Sequence, residues 1–187
     1  VVDLGEKLEF PNIWQLEIAA LMSQIGCITL LPGILNKYYG GIELEDEELE
    51  MYLSHPEAGA KLLTNIPRLE DVAEMIAHQL DSYETLMENR KLSEDVSLGA
   101  QILRLAIDHD VIMFRGMSHG AAVAELRAAK DLYGPQVVEA LKTIKVIDDH
   151  DRIVSLHVKD IAMGMIAEQD ITAKNGAMIA PKGQKIT

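Results

Sequence analysis

The chain has 187 residues, 48% hydrophobic and 25% charged, an ordinary globular composition that can build a core for one domain with a small appendage. Its net charge of −13 repels phosphate backbones and anionic lipids, and no basic patch offsets it, so nucleic acid and membrane are excluded as expected partners. No apolar run of about 18 residues could span a bilayer and no signal peptide is visible; the single cysteine, Cys27, cannot form an internal disulfide, which points to a reducing cytoplasm.

In chain order, a first helix places Ile13, Leu16, Ala20 and Gln24 on one face and Trp14, Ile18, Leu21 and Ile25 on the next. Ser23 and Gln24 close it and Gly26 stops it. Pro32-Gly33 and "YYGG" read as loops. "IELEDEELEMYLSHPEAGAKLL" predicts a helix whose acidic first turn complements the helix dipole. "PRLEDVAEMIAHQLDSYETLM" predicts one helix with an apolar stripe at Leu69, Val72, Ala73, Ile76, Leu80 and Tyr83. "SLGAQILRLAIDHDVIMF" is apolar on two faces and predicts the most buried helix, with Ile107 in the core beside Leu103, Val111 and Phe114. "SHGAAVAELRAAKDLYG" and "GPQVVEALKTI" complete a helical region over 1–145.

The pattern then changes. "RIVSLHV" and "MIAEQDIT" are rich in β-branched residues, Asn175-Gly176 sits between two short apolar runs, and Pro181 with Gly183 marks another turn. Residues 146–187 therefore predict a small β-hairpin module. So short a module has apolar runs, such as Ile153, Val154 and Leu156, that need cover, and docking on the helical domain is expected. The fold class is mainly α, a helical bundle followed by this module.

Three blocks, "ALMSQIGCITLLPGILNK", "SHPEAGAKLLTNIPRLEDVAEMIAHQ" and "SLGAQILRLAIDHD", resemble in order and spacing the blocks of HD-GYP domains, a branch of the HD superfamily of metal-dependent phosphohydrolases. Active members hydrolyse cyclic di-GMP. The resemblance covers roughly residues 10–140 and implies the helical bundle of an HD domain. The tail "VKDIAMGMIAEQDITAKNGAMIAPKGQKIT" looks like a β segment of response regulators that carry such outputs. No receiver domain is visible here, so one is expected elsewhere in a longer protein.

The resemblance also assigns positions. Active relatives end the first helix in His-Asp followed by Ile-Gly-Lys; here those places read Ser23, Gln24, Ile25, Gly26 and Cys27. His55 matches a metal histidine. The paired histidines downstream correspond to Gln79 and Leu80, and the late metal aspartate to Ile107; Asp110 matches a second, structural aspartate. Serine, glutamine and isoleucine are poor or impossible substitutes for carboxylate and imidazole ligands, and cysteine cannot supply the lysine's charge to a phosphate. These are degenerate site positions, and no catalytic residue, metal or cofactor is expected.

Other groupings read as ordinary structure. His55 before Pro56 bonds locally, His78 is solvated, and His109 is a core histidine with a partner. Neighbours such as Asp108, His109 and Asp110 diverge around a helix. "IDDHDR" is a charged linker, Cys27 a small hydrophobe, and "KYYGG" too short to stack bases.

The expectation is a non-catalytic signalling output of a response regulator, acting through protein contacts under phosphorelay control. Its partner is a protein of unknown identity, and a homodimer is left open. The alternatives are a metal-dependent cyclic-dinucleotide phosphodiesterase with an atypical site from His55, His78, His109 and Asp110, or a cyclic di-GMP sensor that binds without hydrolysis.

Overall fold

A computed structural model describes residues 1–145, 161, 165–173 and 177–186. The chain divides into two compact units, Val1–Val146 and Ile147–Thr187.

In the first unit, α1 (Val2–Lys7) and α2 (Ile13–Met22) are followed by a 3-10 turn, Ile25–Thr29, and a short α3 (Ile34–Tyr39). One expectation is corrected here. The first helix ends at Met22 rather than Gly26, because the chain tightens into the 3-10 turn and Gly26 lies inside it. Pro32-Gly33 forms a turn as expected, and between it and the Gly40-Gly41 turn the chain forms α3, started by Gly33 at φ 99°, a left-handed conformation that glycine adopts without strain.

The helix α4 (Asp46–Leu63) begins with Asp46, Glu47 and Glu48 against its dipole and is closed by a Glu45/Glu48 capping box. Its inner face buries Tyr52, His55, Pro56, Gly59, Ala60 and Leu63. The single helix expected over residues 67–87 is two: α5 (Glu70–Ala77) and α6 (Tyr83–Glu88). Ser82 caps α6 by accepting from the Thr85 N–H at 3.1 Å, while the His78 ring bonds Asp81 across the intervening turn at 2.7 Å. Gln79 and Leu80 therefore sit in a turn, freed from helical register.

The helix α7 (Glu94–Phe114), capped by Ser93, is the most buried, as its two apolar faces require. Leu103 and Val111 are in the core. Ile107 is only half-buried, and Phe114 is 64% exposed, its ring edge-on to Tyr39 at 5.5 Å. The four-residue core cluster read from the sequence fails at two members, Ile107 and Phe114: only Leu103 and Val111 are buried. The helices α8 (His119–Ala128), capped by Ser118, and α9 (Pro135–Thr143), with proline at its first position, complete the unit. One core runs through it, from Leu16 and Ala19 of α2 across Val72, Met75 and Ile76 of α5 to Ile102 and Leu105 of α7, and on to Leu126 and Val137.

In the second unit, β1 (Ile171–Thr172) and β2 (Met178–Ala180) pair antiparallel, Ile171 with Ala180 and Thr172 with Met178, with a bulge between. Ile166 bridges Lys185, and Gly183, at φ 82°, turns the chain after Pro181. The Asn175-Gly176 tip, the linker "IDDHDR" and the run Ile153, Val154 and Leu156 lie outside the described residues.

Candidate functional site

Three of the positions assigned to ligands, Ser23, His55 and Gln79, come together where the end of α2, α4 and the turn after α5 meet. Gly26 and Gly59 make the meeting possible. A Cβ on Gly26 would stand 1.9 Å from the His55 carbonyl oxygen and 2.8 Å from the Gly59 nitrogen, so the 3-10 turn lies backbone to backbone on α4.

His55 is fully buried, and its orientation follows from its neighbour. Pro56 has no N–H, which leaves the carbonyl four residues before it, that of Tyr52, without its helical donor. His55 supplies the missing proton: its Nδ1–H donates to the Tyr52 carbonyl at 2.5 Å. The other ring nitrogen, Nε2, then carries the lone pair. Burial holds the His55 pKa below its usual range, so the ring is neutral.

What that lone pair meets is Gln79. The Gln79 amide nitrogen lies 3.4 Å from His55 Nε2 and donates to the Ser23 carbonyl at 2.8 Å. One amide thus joins the end of α2 to α4 and the turn after α5. The Ser23 hydroxyl is spent on the Ala20 carbonyl at 2.9 Å. The Cys27 thiol donates to Gln24 Oε1 at 3.3 Å, and burial pushes its pKa up, away from the reactive thiolate. Gln79 Oε1 and Gln24 Nε2 are buried without a partner among the described residues.

A second set of contacts continues from this knot. The Leu80 carbonyl accepts from Arg104 Nη1, and Arg104 Nε lies 3.5 Å from Asp108 Oδ2. Asp108 also accepts from Tyr133 OH at 2.6 Å and Tyr38 OH at 3.4 Å. Tyr38 stacks on Tyr52 at 4.1 Å, and Tyr52 lies 4.9 Å from the His55 ring, so the contacts close into a ring. Burial, then the neighbouring carboxylate, raises the Tyr133 pKa, so its hydroxyl stays a donor.

Reading the sequence missed this half. Asp108 was expected to diverge from its neighbours, and it does, but toward Tyr38 and Tyr133. The available signal was Arg104 and Asp108 four residues apart on one helix face. Their tyrosine partners, 70 and 25 residues distant, gave none.

The remaining candidates do not converge. His78 pairs with Asp81, and His109 with His119 at 3.0 Å, while Asp110 is exposed. His109 is buried with a partner, as a core histidine should be, and desolvation followed by His119 lowers its pKa. His55, His78, His109 and Asp110 form no common site, because each histidine is engaged elsewhere. Among the described residues, no group of three or more His, Cys, Asp or Glu side chains is arranged to hold a metal ion.

Comparison with family models matches the HD domain over residues 1–137. The chain belongs to the HD-domain family. Comparisons with curated proteins and with solved structures found no match. The match spans the knot and the Asp108 network and ends in the first turn of α9, and it agrees with the helical architecture. HD domains belong to a superfamily of metal-dependent phosphohydrolase type. The donor set around His55 does not fit a paired-metal centre: its two ring nitrogens face the Tyr52 carbonyl and the Gln79 amide nitrogen, and among the described residues no group of three or more His, Cys, Asp or Glu side chains is arranged to hold a metal ion. Among the described residues no helix is long and apolar enough to cross a membrane.

Proposed function

We propose that this HD domain is a non-catalytic signalling module that acts through protein contacts. It serves as the output of a cytoplasmic response regulator under phosphorelay control, and it is a degenerate relative of the HD-GYP branch. The observation that carries the non-catalytic part is the Gln79 amide placed against His55 Nε2. A hydrogen-bond donor stands where the histidine lone pair would otherwise meet a cation, and no carboxylate joins it. The similarity of residues 158–187 to response-regulator tails supports the phosphorelay context. The physical requirement is a pair of arrangements whose balance phosphorylation elsewhere in the protein shifts.

Metal analysis of the purified chain, with a hydrolysis assay on cyclic di-GMP in added manganese or iron, tests this. The expected result is metal far below one per chain and no turnover. Ser23→His with Gln24→Asp is expected to remain inactive, because Gln79, Leu80 and Ile107 still leave the ligand set incomplete. Stoichiometric metal with turnover overturns the proposal. Calorimetric binding of cyclic di-GMP without hydrolysis would favour a sensor over a pure docking module.

A further inference from the structure

At the corner between α7 and α8 two imidazoles stand edge to face. His109, near the end of α7, is buried, and its Nε2 lies 3.0 Å from Nδ1 of His119, the first residue of α8. Two nitrogens at that distance share one hydrogen, one donating and the other accepting. The second ring nitrogen of His119, Nε2, is buried with no partner among the described residues. That atom decides the direction of the bond. If His109 donated, the proton of His119 would sit on Nε2, a buried N–H without an acceptor. With His119 donating from Nδ1, its Nε2 is bare and no hydrogen is stranded.

We propose that this pair is an acid-released latch, which joins α7 to α8 while it is neutral and lets His119 go when it takes up one more proton. While the 3.0 Å bond lasts, one of the two facing nitrogens must stay bare, so the added proton has two places to rest. One is His119 Nε2, where the N–H is stranded. The other is His109 Nδ1, which requires His109 to donate and so again puts a hydrogen on His119 Nε2. A positive charge on His119 would also meet the positive end of the helix dipole at the start of α8. Rotation into water relieves both faults: His119 is only half-buried, and Arg115 to Ser118 before it and Gly120 after it are exposed. The charged groups that bear on His109 are His119 and, in the opposite sense, Asp110 of its own helix. The other helices packed on α7, namely α1, α2, α5, α6 and α9, set no charge against it among the described residues, and Arg115 is turned to the Tyr38 and Tyr39 carbonyls. Burial, then His119, holds the His109 pKa below its ordinary value, so the latch is closed above about pH 6.5 and opens as pH falls from there through the lowered value. The helix it releases buries Ala122, Val123 and Leu126, so a loosened first turn reaches the core. The inference is independent of whether the domain is catalytic.

NMR of the imidazole nitrogens in the 187-residue chain, with amide hydrogen exchange along α8, tests it. At about pH 7.5 the expected spectrum has His119 protonated on Nδ1 and bare on Nε2. Between about pH 7.5 and 5.5 the protection of the Ala122 and Val123 amides, corrected for the intrinsic exchange rate, falls by about tenfold or more. His119→Gln keeps a side-chain donor for His109 but takes up no proton, and it abolishes the fall; His109→Gln does the same. His55→Gln, at the other buried imidazole, leaves the fall in place and so separates the latch from the knot. The wild-type measurements stand by themselves if a variant does not fold. A proton on His119 Nε2 at about pH 7.5, or protection of α8 indifferent to pH, overturns the proposal. So does a fall that survives both variants of the pair or disappears in His55→Gln.

Discussion

Two neighbouring regions handle buried polarity in opposite ways. The knot of Ser23, His55 and Gln79 is fully buried and uncharged: an imidazole kept neutral, an amide and backbone carbonyls. The Asp108 network is partly exposed and keeps its charges, with one carboxylate shared by Arg104, Tyr38 and Tyr133. They meet in the turn after α5, where Gln79 belongs to the knot and the next carbonyl, that of Leu80, accepts from Arg104 of the charged network. The difference teaches where a carboxylate is tolerated. A buried carboxylate needs a cation or several donors, and only the Asp108 side offers them.

The sharpest way to break the comparison is at the glycine that holds the knot together. Gly26→Ala drives a Cβ into the His55 carbonyl and the Gly59 nitrogen, and backbone cannot swing aside as a side chain can. A loss of roughly 3 kcal/mol in urea unfolding is expected. Gln79→Leu should cost about 2 kcal/mol by the same measurement, since it strands the Ser23 carbonyl and His55 Nε2 in a buried place. Asp108→Asn should cost only about 1 kcal/mol, because the tyrosines can still donate to the amide oxygen and Arg104 retains the Leu80 carbonyl. If Asp108→Asn proved the costlier of the two, the charged network would be the main fastening and the knot a passenger.

The smallest expected effect is in pH. Burial lowers the folded pKa of His55, so the unfolded chain binds its proton first as the solution is acidified. Stability from the neutral ring is present above the unfolded value of about 6.5 and is lost as pH falls from there through the lowered folded value. His109 adds a term of the same sign. The melting temperature should drop between about pH 7 and 5, and His55→Gln should flatten that drop. An unchanged pH profile in His55→Gln would mean that the ring takes up its proton without disturbing the knot.

Much of this architecture could be read from the chain. Strong helical periodicity gave α7, the acidic start gave α4 and Gly134-Pro135 gave the beginning of α9. The break between α5 and α6 was hidden because the apolar stripe continues in phase through Leu80 and Tyr83, while the serine cap and His78–Asp81 bond that interrupt it are short-range polar signals. At the site, Ser23, His55 and Gln79 could be singled out from the chain, but not the contacts that join them. That Gln79 bridges Ser23 and His55 depends on contacts 56 and 24 residues apart, which no spacing rule encodes.

The proline inside α4 carries a lesson for reading related sequences. Because Pro56 withholds a backbone proton, His55 has a duty to the helix itself, closing the Tyr52 carbonyl, that is separate from any chemistry. A sound α4 needs that contact whether or not the domain is catalytic. The His-Pro pair is therefore by itself no sign of activity. The residues facing the histidine's second nitrogen are the better ballot, and in this chain glutamine holds that seat.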